Sequence, residues 1–300
     1  MRFIDLDLDE ETSLIFKSVQ GLIERDWSTK KLRKYAEGDQ SKLDPIFEEL
    51  AEMGIFEFVR DADARRGALL CELIGRKLLP GIVASTLIAS RSVKDHEKSA
   101  GGSAASKYHP IAFSPSAIVP DALAAEMVVT GGTVYRREDV QLSPLASVDP
   151  TMRLYRVTPL RGGETVDVNM SEALLSVVPQ IVGSGDECFD LTASYAKQRI
   201  AFGKPIGSFQ ALKHRLVDDA VAIEFSRSLY LGAADDPSLR ERAMIYASKN
   251  VKKVITDGIQ VHGGIGFTAD IDLHLHLRRV VTLCKLFEVA GRNLREAPKS

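Results

Sequence analysis

The sequence predicts a mainly helical protein with a small β unit in its middle, and three observations support this fold class. Over roughly the first ninety residues, apolar side chains recur at helical spacing. Between 101 and 169, glycines, prolines and short β-prone runs replace that spacing. Long helical patterns with short connections then return. The predicted domains are an N-terminal helical domain at 1–100, a reduced β domain at 101–169 and a C-terminal four-helix bundle at 170–300.

Capping residues predict three helices in the first domain. Asp9 can cap the first helix, and Asp44 can cap a second that ends before Gly54. A third helix covers about 67–79 and is stopped by Pro80. The first helix carries a 3.6-residue apolar stripe of Leu14, Ile15, Val19, Leu22, Ile23 and Trp27.

The middle segment predicts two hairpins. The runs MVVT and TVYR flank Gly131 and Gly132, and the run RLYRV precedes Gly162 and Gly163. Paired glycines tolerate the positive φ values of tight hairpin turns, so we expect a turn at each pair.

The last domain predicts four long helices joined by short loops. They cover about 171–199, about 209–232, a segment from 236 to just before His262, and about 270–287. Helices of this length with short connections form antiparallel bundles.

Composition argues against several classes of function. The 39 Lys and Arg against 41 Asp and Glu give a formal charge of -2, so no strong field attracts nucleic acid or an anionic membrane. The acidic start, MRFIDLDLDEE, does not resemble a signal peptide, and the apolar stretch 78–89 is too short to span a bilayer. Three widely spaced cysteines do not suggest disulfides or zinc. We expect a soluble cytoplasmic protein.

Residues 195–210, YAKQRIAFGKPIGSFQ, form the first segment that suggests chemistry. Arg199 is predicted at a helix end, beside a Gly/Pro loop that contains Phe202, and a new helix begins directly afterwards. An arginine fork next to free backbone N–H groups suits a diphosphate. The alternative is structural: Arg199 caps carbonyl groups and Phe202 fills a gap in the core.

Residues 260–267, QVHGGIGF, form the second such segment. Gly263 and Gly264 would let a ligand approach the backbone closely, and the Gln260 amide could donate to a phosphate or an adenine. A helix C-cap followed by a turn explains the glycines equally well. No strand precedes them, so they are not a dinucleotide-binding fingerprint of the strand–turn–helix type.

Together, QRIAFGKPIGSFQ and QVHGGIGFT resemble the C-terminal bundle of the acyl-CoA dehydrogenase family in order and spacing, most clearly over 171–279. The resemblance implies that family's fold, with a helical domain, a β domain and a four-helix bundle, and FAD at a subunit interface. This chain would contact the diphosphate and adenine end of a FAD held mainly by its neighbour. The implied contacts are Arg199, Phe202, Gln210, Gln260, Gly263 and Gly264.

The catalytic base that the resemblance requires is missing from both of its usual positions. In the family a glutamate removes the α-proton of the acyl-CoA while the β-hydride goes to the flavin. The two expected positions are Phe287 and Ala173, with Glu288 and Glu172 one residue away. One residue turns a helix by about 100°. Glu172 and Glu288 are therefore weak catalytic candidates and are predicted to be solvated surface carboxylates.

Other expected features are also absent from the sequence. The Thr-Glu-Pro and Gly-Ser-Asp segments and the tryptophan-bearing strand that hold the isoalloxazine ring have no counterpart, since Trp27 is the only tryptophan. An arginine expected after the helical base position is Leu174. The resemblance thus implies a short subunit that pairs with a longer homologous chain in an α2β2 enzyme.

The stretches 147–154, SVDPTMRL, and 272–279, DLHLHLRR, resemble heterotetrameric steroid- and cholesterol-degrading acyl-CoA dehydrogenases, which implies a polycyclic acyl-CoA substrate. Three alternatives remain open. One is a self-sufficient homo-oligomer that uses Glu172 or Glu288, another is a flavin-free structural subunit, and the third is a flavin monooxygenase on the same fold.

His274 and His276 do not predict a metal site, because side chains two residues apart on a helix point about 200° apart. Arg278 and Arg279 are predicted as a solvated or capping pair. We therefore expect no metal.

Overall fold

The computed structural model describes residues 8–38, 43–93 and 109–288, and it confirms the predicted order of helices, strands and helices. The boundaries at 169/170 and 100/101 remain predictions, and the second of these lies outside the described residues. None of the helices in the described ranges is long and apolar enough to cross a membrane.

Within residues 8–38 and 43–93, six helices form the N-terminal part. They are α1 (Glu10–Asp26), α2 (Thr29–Glu37), α3 (Pro45–Glu52), α4 (Ile55–Asp61), α5 (Ala64–Arg76) and α6 (Gly81–Ser92). Asp9 caps α1 by accepting from the Thr12 N–H at 2.7 Å, and Asp44 caps α3 by accepting from the Ile46 N–H at 3.1 Å. Both predicted caps are confirmed. Leu14 does not belong to the buried stripe of α1, because its side chain is 66% exposed.

Two further predictions for this region need correction. Helix α5 ends at Arg76 and not near Leu79, because Leu78 takes a left-handed φ of 48° that ends the helical path. Helix α6 begins directly after Pro80 and was not predicted. It is buried on nearly every side, so its sequence shows no amphipathic period.

Seven short strands form two sheets. They are β1 (Ile111–Ser114), β2 (Ile118–Pro120), β3 (Met127–Thr130), β4 (Thr133–Arg136), β5 (Val140–Leu145), β6 (Leu154–Pro159) and β7 (Glu164–Thr165). One sheet has the order β1-β3-β4-β7 and the other β2-β6-β5. The pair β1–β3 is parallel and the other pairs in these two sheets are antiparallel.

The first predicted hairpin is confirmed and the second lies elsewhere. Gly131 and Gly132 turn β3 into β4 with φ values of 56° and 78°. Strand β6 forms its hairpin with β5, which precedes it. The chain then passes Gly162 and Gly163 to reach the other sheet, where β7 pairs with β4. The second glycine pair therefore lies in a crossover between sheets.

Four long helices complete the fold as predicted, with ends shifted by a few residues. They are α7 (Met170–Gln198), α8 (Gln210–Asp235), α9 (Arg240–His262) and α10 (Leu273–Leu286), with a small hairpin of β8 (Ile200–Ala201) and β9 (Lys204–Pro205) between α7 and α8. The first three helices pack against one another and alternate in direction. The C-terminal ends of α7 and α9 and the start of α8 therefore lie at one end of the bundle, called here the bundle end.

Helices α5 and α7 cross in direct backbone contact. A Cβ atom added to Gly75 would lie 2.2 Å from the Gln180 carbonyl oxygen, and one added to Gly183 would lie 2.0 Å from the Glu72 carbonyl oxygen. Both glycines are therefore required by the close approach of the two helices. The crossing joins the N-terminal helices to the bundle.

Arg279 is buried, which corrects the prediction of a solvated or capping pair; Arg278 is exposed. The Arg279 guanidinium donates from Nε to Asp149 Oδ2 at 2.6 Å, from Nη2 to Thr151 Oγ1 at 2.7 Å and to the Leu79 carbonyl oxygen at 3.2 Å. Arg279 lies on the inward face of α10, so its charge had to be paired inside the protein. The two stretches 147–154 and 272–279 thus bind each other.

We predict that Gly75→Ala and Gly183→Ala each lower the free energy of unfolding by about 2–4 kcal/mol, because the new methyl group meets backbone atoms that cannot move aside. The control is Gly21→Ala in α1, where no heavy atom lies within 4 Å of an added Cβ. It should stabilise the protein by about 0.5–1 kcal/mol. Urea unfolding followed by circular dichroism measures all three, and wild-type stability in either crossing variant would contradict the close contact.

Candidate functional site

The two motif segments meet at the bundle end. The rings of Tyr195 on α7 and His262 on α9 stack with centroids 4.3 Å apart. One turn earlier, an added Cβ at Gly258 would lie 2.6 Å from Thr192 Oγ1, so the two helices approach closely here. The His262 ring is fixed by a 2.8 Å hydrogen bond between Nδ1 and the Gly258 carbonyl oxygen. Segments some sixty residues apart in sequence therefore form one surface.

The first segment presents Arg199 and Phe202 to solvent. The Arg199 N–H donates to the Tyr195 carbonyl oxygen at 2.8 Å, and its own carbonyl oxygen accepts from the Ile206 N–H at 2.8 Å. The backbone is therefore fixed on both sides. The guanidinium is exposed and has no hydrogen-bond partner within the described part of the chain. The predicted alternative, in which Arg199 caps helix carbonyls, is not observed.

Phe202 occupies a conformation that is unfavourable for its side chain. It forms a tight two-residue turn with Gly203, and their φ values are 51° and 78°. The ring is 95% exposed and contacts Phe209 edge-to-face at 6.2 Å. The alternative that Phe202 fills a gap in the core is therefore wrong. A bulky residue in the left-handed region costs about 1–2 kcal/mol, and such strain is concentrated at functional sites.

The start of α8 adds further unpaired donors. Phe209 is its N-cap and supplies no side-chain cap, so the N–H groups of Gln210 and Ala211 remain available, whereas the Leu212 N–H donates to the Phe209 carbonyl oxygen at 3.1 Å. The buried Ser208 hydroxyl just before it has no hydrogen-bond partner among the residues that the structure describes. Gln210 follows as the first helical residue and is exposed. Free N–H groups and a positive helix end bind anions.

The surrounding charge favours an anion as well. Between 197 and 215 the chain has five basic residues and no acidic one, namely Lys197, Arg199, Lys204, Lys213 and Arg215. The ammonium group of Lys204 lies 4.5 Å from the centre of the Phe209 ring. This excess of positive charge is local, because the whole chain is nearly neutral.

The second segment ends α9 and leaves an open backbone surface. Gly263 has a φ of 62°, which explains a glycine there as a helix C-cap. Capping does not explain Gly264, where an added Cβ would meet no heavy atom within 4 Å. Gln260, one turn earlier, is exposed and its amide has no partner in the described ranges. The alternative of a simple cap thus accounts for only part of the motif.

The bundle end therefore fits the diphosphate and adenine end of a dinucleotide. It combines an unpaired guanidinium, free N–H groups, two exposed amides and an exposed aromatic ring. Apolar side chains surround these groups, and the exposed fractions are 56% for Ile200, 42% for Ile265 and 76% for Phe267. Among the described residues, none covers these exposed groups, so a ligand bound by them would remain open to solvent on its other side.

Both expected base positions are buried in apolar packing. Ala173 is 0% exposed and Phe287 is 3% exposed, and they belong to the same hydrophobic core. The Phe287 ring stacks on Phe113 of β1 with centroids 6.1 Å apart. Phe113 and Phe287 fill the space between the sheet and α10.

The neighbouring glutamates differ from each other. Glu172 was predicted as a solvated carboxylate, but it is half-buried and bridges Arg91 Nε at 3.0 Å and Arg240 Nη1 at 2.7 Å. The prediction was wrong because Arg91 and Arg240, which are far from Glu172 in sequence, both lie against the start of α7 and pair with it. Glu288 is exposed as predicted and accepts from Lys285 Nζ at 2.7 Å, which holds its pKa below the usual range. A general base needs the opposite shift.

His274 and His276 of α10 lie in different surroundings. Burial, supported by the positive charge of Arg279, lowers the pKa of His276 to about 3, so that ring is neutral. His274 Nδ1 lies 2.9 Å from the Ile271 carbonyl oxygen. Across residues 8–38, 43–93 and 109–288, no group of three or more His, Cys, Asp or Glu side chains could hold a metal ion.

Comparison with known proteins agrees with this geometry. Residues 161–284 match the acyl-CoA dehydrogenase C-terminal domain family. The acyl-CoA dehydrogenase IpdE2 of Mycobacterium tuberculosis is 32% identical over 241 residues, which are 76% of this chain and 75% of that relative. The chain belongs to the acyl-CoA dehydrogenase family. Members of this family are flavoproteins that oxidise acyl-CoA with FAD.

Further acyl-CoA dehydrogenases are similar along most of the chain. IpdE2 of Mycolicibacterium smegmatis is 29% identical and covers 91% of this chain and 93% of its own. FadE34 of Mycobacterium tuberculosis is 29% identical over 87% of this chain but only 42% of its own. A putative acyl-CoA dehydrogenase structure from Mycobacterium smegmatis has a TM-score of 0.77 at 15% identity and covers 93% of this chain and 94% of its own. This likeness establishes the acyl-CoA dehydrogenase fold.

We predict that Phe202→Asn raises the free energy of unfolding of the isolated chain by about 0.5–1 kcal/mol, because asparagine tolerates the left-handed conformation better than phenylalanine. The exposed ring contributes little to the core of this chain. Thermal unfolding of the purified chain measures the change. A loss of stability would instead show that the edge-to-face contact with Phe209 supports the loop.

Proposed function

We propose that this chain is the short subunit of a hetero-oligomeric, FAD-dependent acyl-CoA dehydrogenase. It contributes the bundle end to a FAD that a longer, homologous partner chain holds, and the partner supplies the catalytic base. The assembled enzyme would introduce an α,β double bond into an acyl-CoA. The proposed FAD contacts are Arg199, Phe202, Gln210, Gln260, Gly263 and Gly264.

One contrast within the chain supports this proposal. The bundle end has a complete set of exposed, unpaired donors for a diphosphate and an adenine. The interior positions Ala173 and Phe287, where the family has its base, are filled by the core. A chain that has donors for one end of FAD but no carboxylate at the base positions is suited to assist a catalytic partner.

Each proposed contact has a separate physical task. Arg199 would neutralise the diphosphate through charge-assisted hydrogen bonds, and the free N–H groups at the start of α8 would add to the positive field. Phe202 would pack on an apolar part of the cofactor or of the partner and exclude water. Gln260 would donate its amide, and Gly264 would allow close approach. FAD, when bound, would accept the hydride from the substrate.

A longer partner is supported by the relative FadE34. The matched region covers 87% of this chain but only 42% of FadE34, so more than half of that acyl-CoA dehydrogenase lies outside the similarity. A protein of that length has room for this chain's counterpart and for a longer one. By contrast, IpdE2 of Mycolicibacterium smegmatis matches over almost its whole length.

The self-sufficient alternative has less support. Both Glu172 oxygens are held in ion pairs with Arg91 and Arg240, so the carboxylate is engaged within the protein and is not presented to a thioester. Glu288 lies on the surface, where the hydrogen bond and charge of Lys285 lower its pKa instead of raising it toward that of a general base.

The proposed substrate is a polycyclic, steroid-derived acyl-CoA, and it rests on the resemblance of 147–154 and 272–279 to steroid-degrading enzymes. A steroid acyl-CoA dehydrogenase, Tcur3481-Tcur3483, has the same fold with a TM-score of 0.70 at 17% identity and covers 93% of this chain and 94% of its own. In this chain the two stretches form the ion pair between Arg279 and Asp149. Because the two stretches pair with each other, the contacts to the proposed substrate would come from the partner.

We predict that Arg199→Ala weakens FAD binding by the assembled complex by about 1.5–3 kcal/mol, because a charge-assisted contact to phosphate is lost. The control is Arg65→Ala, which removes an exposed arginine paired with Asp235 at the C-terminal end of α8, away from the bundle end. Flavin absorbance after dilution and gel filtration measures the occupancy of both variants. Full retention of flavin by Arg199→Ala would refute the proposed site.

We predict that Glu172→Gln and Glu288→Gln each leave the turnover of the assembled complex within about twofold of wild type, because neither carboxylate acts as the base. Removal of a true base costs about 10²-fold to 10⁴-fold. Glu172→Gln should also lower the thermal stability of the chain, because Arg91 and Arg240 lose their shared partner. Dye reduction at matched flavin content measures turnover, and a hundredfold drop in either variant would move the active site into this chain.

A further inference from the structure

Arg33 of α2 contacts the chain between α9 and α10, called here the α9–α10 connection (263–272). Its guanidinium donates from Nε to Asp272 Oδ1 at 2.8 Å and from Nη2 to the Asp270 carbonyl oxygen at 2.6 Å. The partners are 239 and 237 residues apart in sequence. The planar fork of an arginine matches two acceptors at once, so Arg33 fixes both a side chain and a backbone atom of the connection.

The Asp272 carboxylate does not perform the task that its position suggests. Asp272 is the N-cap of α10, where an aspartate side chain usually accepts from N–H groups of the first turn. Its side chain makes no such hydrogen bond. The Asp272 carbonyl oxygen accepts from the Leu275 N–H at 2.9 Å instead. The carboxylate therefore joins α10 to α2 and does not cap α10.

The α9–α10 connection has few other attachments to the fold. Among residues 264–270, Gly266 is buried and the others are exposed. Within the described ranges, the bonds from Arg33 are the hydrogen bonds that join residues 264–272 to an element other than α9 and α10. The path of the connection therefore depends on the contact with α2.

A series of hydrogen bonds continues from Arg33 toward a proposed flavin contact. Arg33 holds Asp270, and the Asp270 N–H donates to Thr268 Oγ1 at 3.3 Å. The Thr268 hydroxyl lies 3.0 Å from Asp270 Oδ2 and 2.8 Å from the Ile265 carbonyl oxygen. Ile265 directly follows Gly264 in the chain. The contact with α2 is thus linked to the backbone beside Gly264.

Helix α2 is itself well supported. Its Leu32 side chain is buried, and the Tyr35 ring packs edge-to-face on Trp27 with centroids 5.5 Å apart. Trp27 is also buried and donates from Nε1 to the Lys77 carbonyl oxygen at 3.0 Å. Lys77 is the C-cap of α5. Arg33 therefore links the α9–α10 connection to the end of the helix that crosses α7.

We propose that Arg33 is a positioning residue of the FAD site. It holds the α9–α10 connection in the path that presents the backbone of Gly263 and Gly264 to the cofactor. Arg33 itself would not contact FAD, and its effect on flavin binding would pass through Asp270 and Asp272. This inference rests on the proposed function. Without Arg33, only a fraction of the molecules would have the connection in the binding-competent path, and the apparent affinity would fall by that fraction.

Flavin affinity tests the inference. Arg33→Ala should weaken FAD binding by the assembled complex by roughly threefold to thirtyfold, the scale on which residues of such networks affect a distant site. Arg33→Lys should give an intermediate affinity, because an ammonium group can keep the pair with Asp272 but cannot match both acceptors as a planar fork does. Calorimetric titration of the flavin-free complex with FAD measures the affinities. Wild-type affinity in Arg33→Ala would overturn the inference.

Lys31→Ala is the matched control. It removes another ion pair of α2, between Lys31 Nζ and Asp44 Oδ1 at 2.9 Å, and the lysine side chain is 33% exposed, compared with 39% for Arg33. Asp44 belongs to the N-terminal helices and not to the α9–α10 connection. FAD affinity should therefore be unchanged. An equal loss of affinity in Lys31→Ala and Arg33→Ala would show a general effect of α2 and overturn the inference.

Hydrogen exchange distinguishes positioning from general stabilisation. In the flavin-free complex of Arg33→Ala, the amides of 264–272 should exchange on the order of tenfold faster, because local opening of the connection becomes easier. The amides of α5 and α7 should keep their wild-type rates, because an exposed ion pair adds little to global stability. Mass spectrometry of peptic peptides measures both. Unchanged exchange at 264–272, or faster exchange throughout the chain, would contradict a positioning role.

Thr268→Val tests the same series of hydrogen bonds without changing α2. The substitution removes the hydroxyl between Asp270 and Ile265 at an exposed position and should also weaken FAD binding. Combined with Arg33→Ala, it should weaken binding by less than the product of the two single effects, because both act through one path. Independent, fully multiplicative effects would overturn the inference. If Arg33→Ala fails to fold, Arg33→Lys and Thr268→Val decide it.

These results separate the two proposals. If Arg199→Ala loses flavin while Arg33→Ala keeps it, the proposed function stands and Arg33 has only a structural role. If Arg33→Ala loses flavin while Arg199→Ala keeps it, the second motif binds flavin as inferred and the proposed diphosphate contact is misplaced. If both variants keep their flavin, both proposals fail.

Discussion

The rest of the structure depends on the crossing of α5 over α7. Gly75 and Gly183 bring the two helices into backbone contact, which no other residue type would allow at this separation. Helix α7 is the longest helix that the structure describes, and Arg199 is its C-cap. The crossing therefore fixes the position of the bundle end relative to the N-terminal helices.

Buried charges around the crossing orient α8 as well. Glu72 of α5 accepts from Arg227 Nη2 at 2.6 Å and also hydrogen-bonds to the Tyr230 hydroxyl, and both of these residues are on α8. Arg227 lies 3.3 Å from Asp186 of α7 at the same time. A buried ion pair adds little net stability, but it can specify one arrangement over others. With Arg227 and Tyr230 facing inward, the rotation of α8 is set, and Val217, Val221 and Phe225 lie on its exposed side.

The sequence was most informative where local rules decide the structure. Asp9 and Asp44 marked helix starts because capping is a local interaction, and Gly131 and Gly132 marked a turn for the same reason. The sequence was least informative where contacts between residues that are distant in the chain determine the structure. Helix α6 is buried all round and has no periodic pattern, and the strand after Gly162 pairs with β4 on the other sheet.

The same distinction holds for the candidate site. Arg199 and Gln260 could be selected from their motifs, but the stacking of Tyr195 on His262, which brings the motifs together, depends on the packing of α7 against α9. The pairing of Glu172 with Arg91 and Arg240 was not predicted either, since the three residues are far apart in sequence. The residue types in the motifs suggested which ligand could bind. The tertiary contacts determined which of these side chains remain unpaired.

The filled interior and the open surface are connected physically. An active site must keep a cavity and a desolvated carboxylate, and both reduce stability. This chain instead packs Phe287 on Phe113 and buries Ala173, so the corresponding region contributes to its core. Its remaining unpaired donors lie on the outside, where water satisfies them until a ligand or partner covers them, and the strained Phe202 lies there as well. A subunit built in this way can be stable without a reaction of its own, and its contribution to catalysis in the proposed enzyme would arise at the interface.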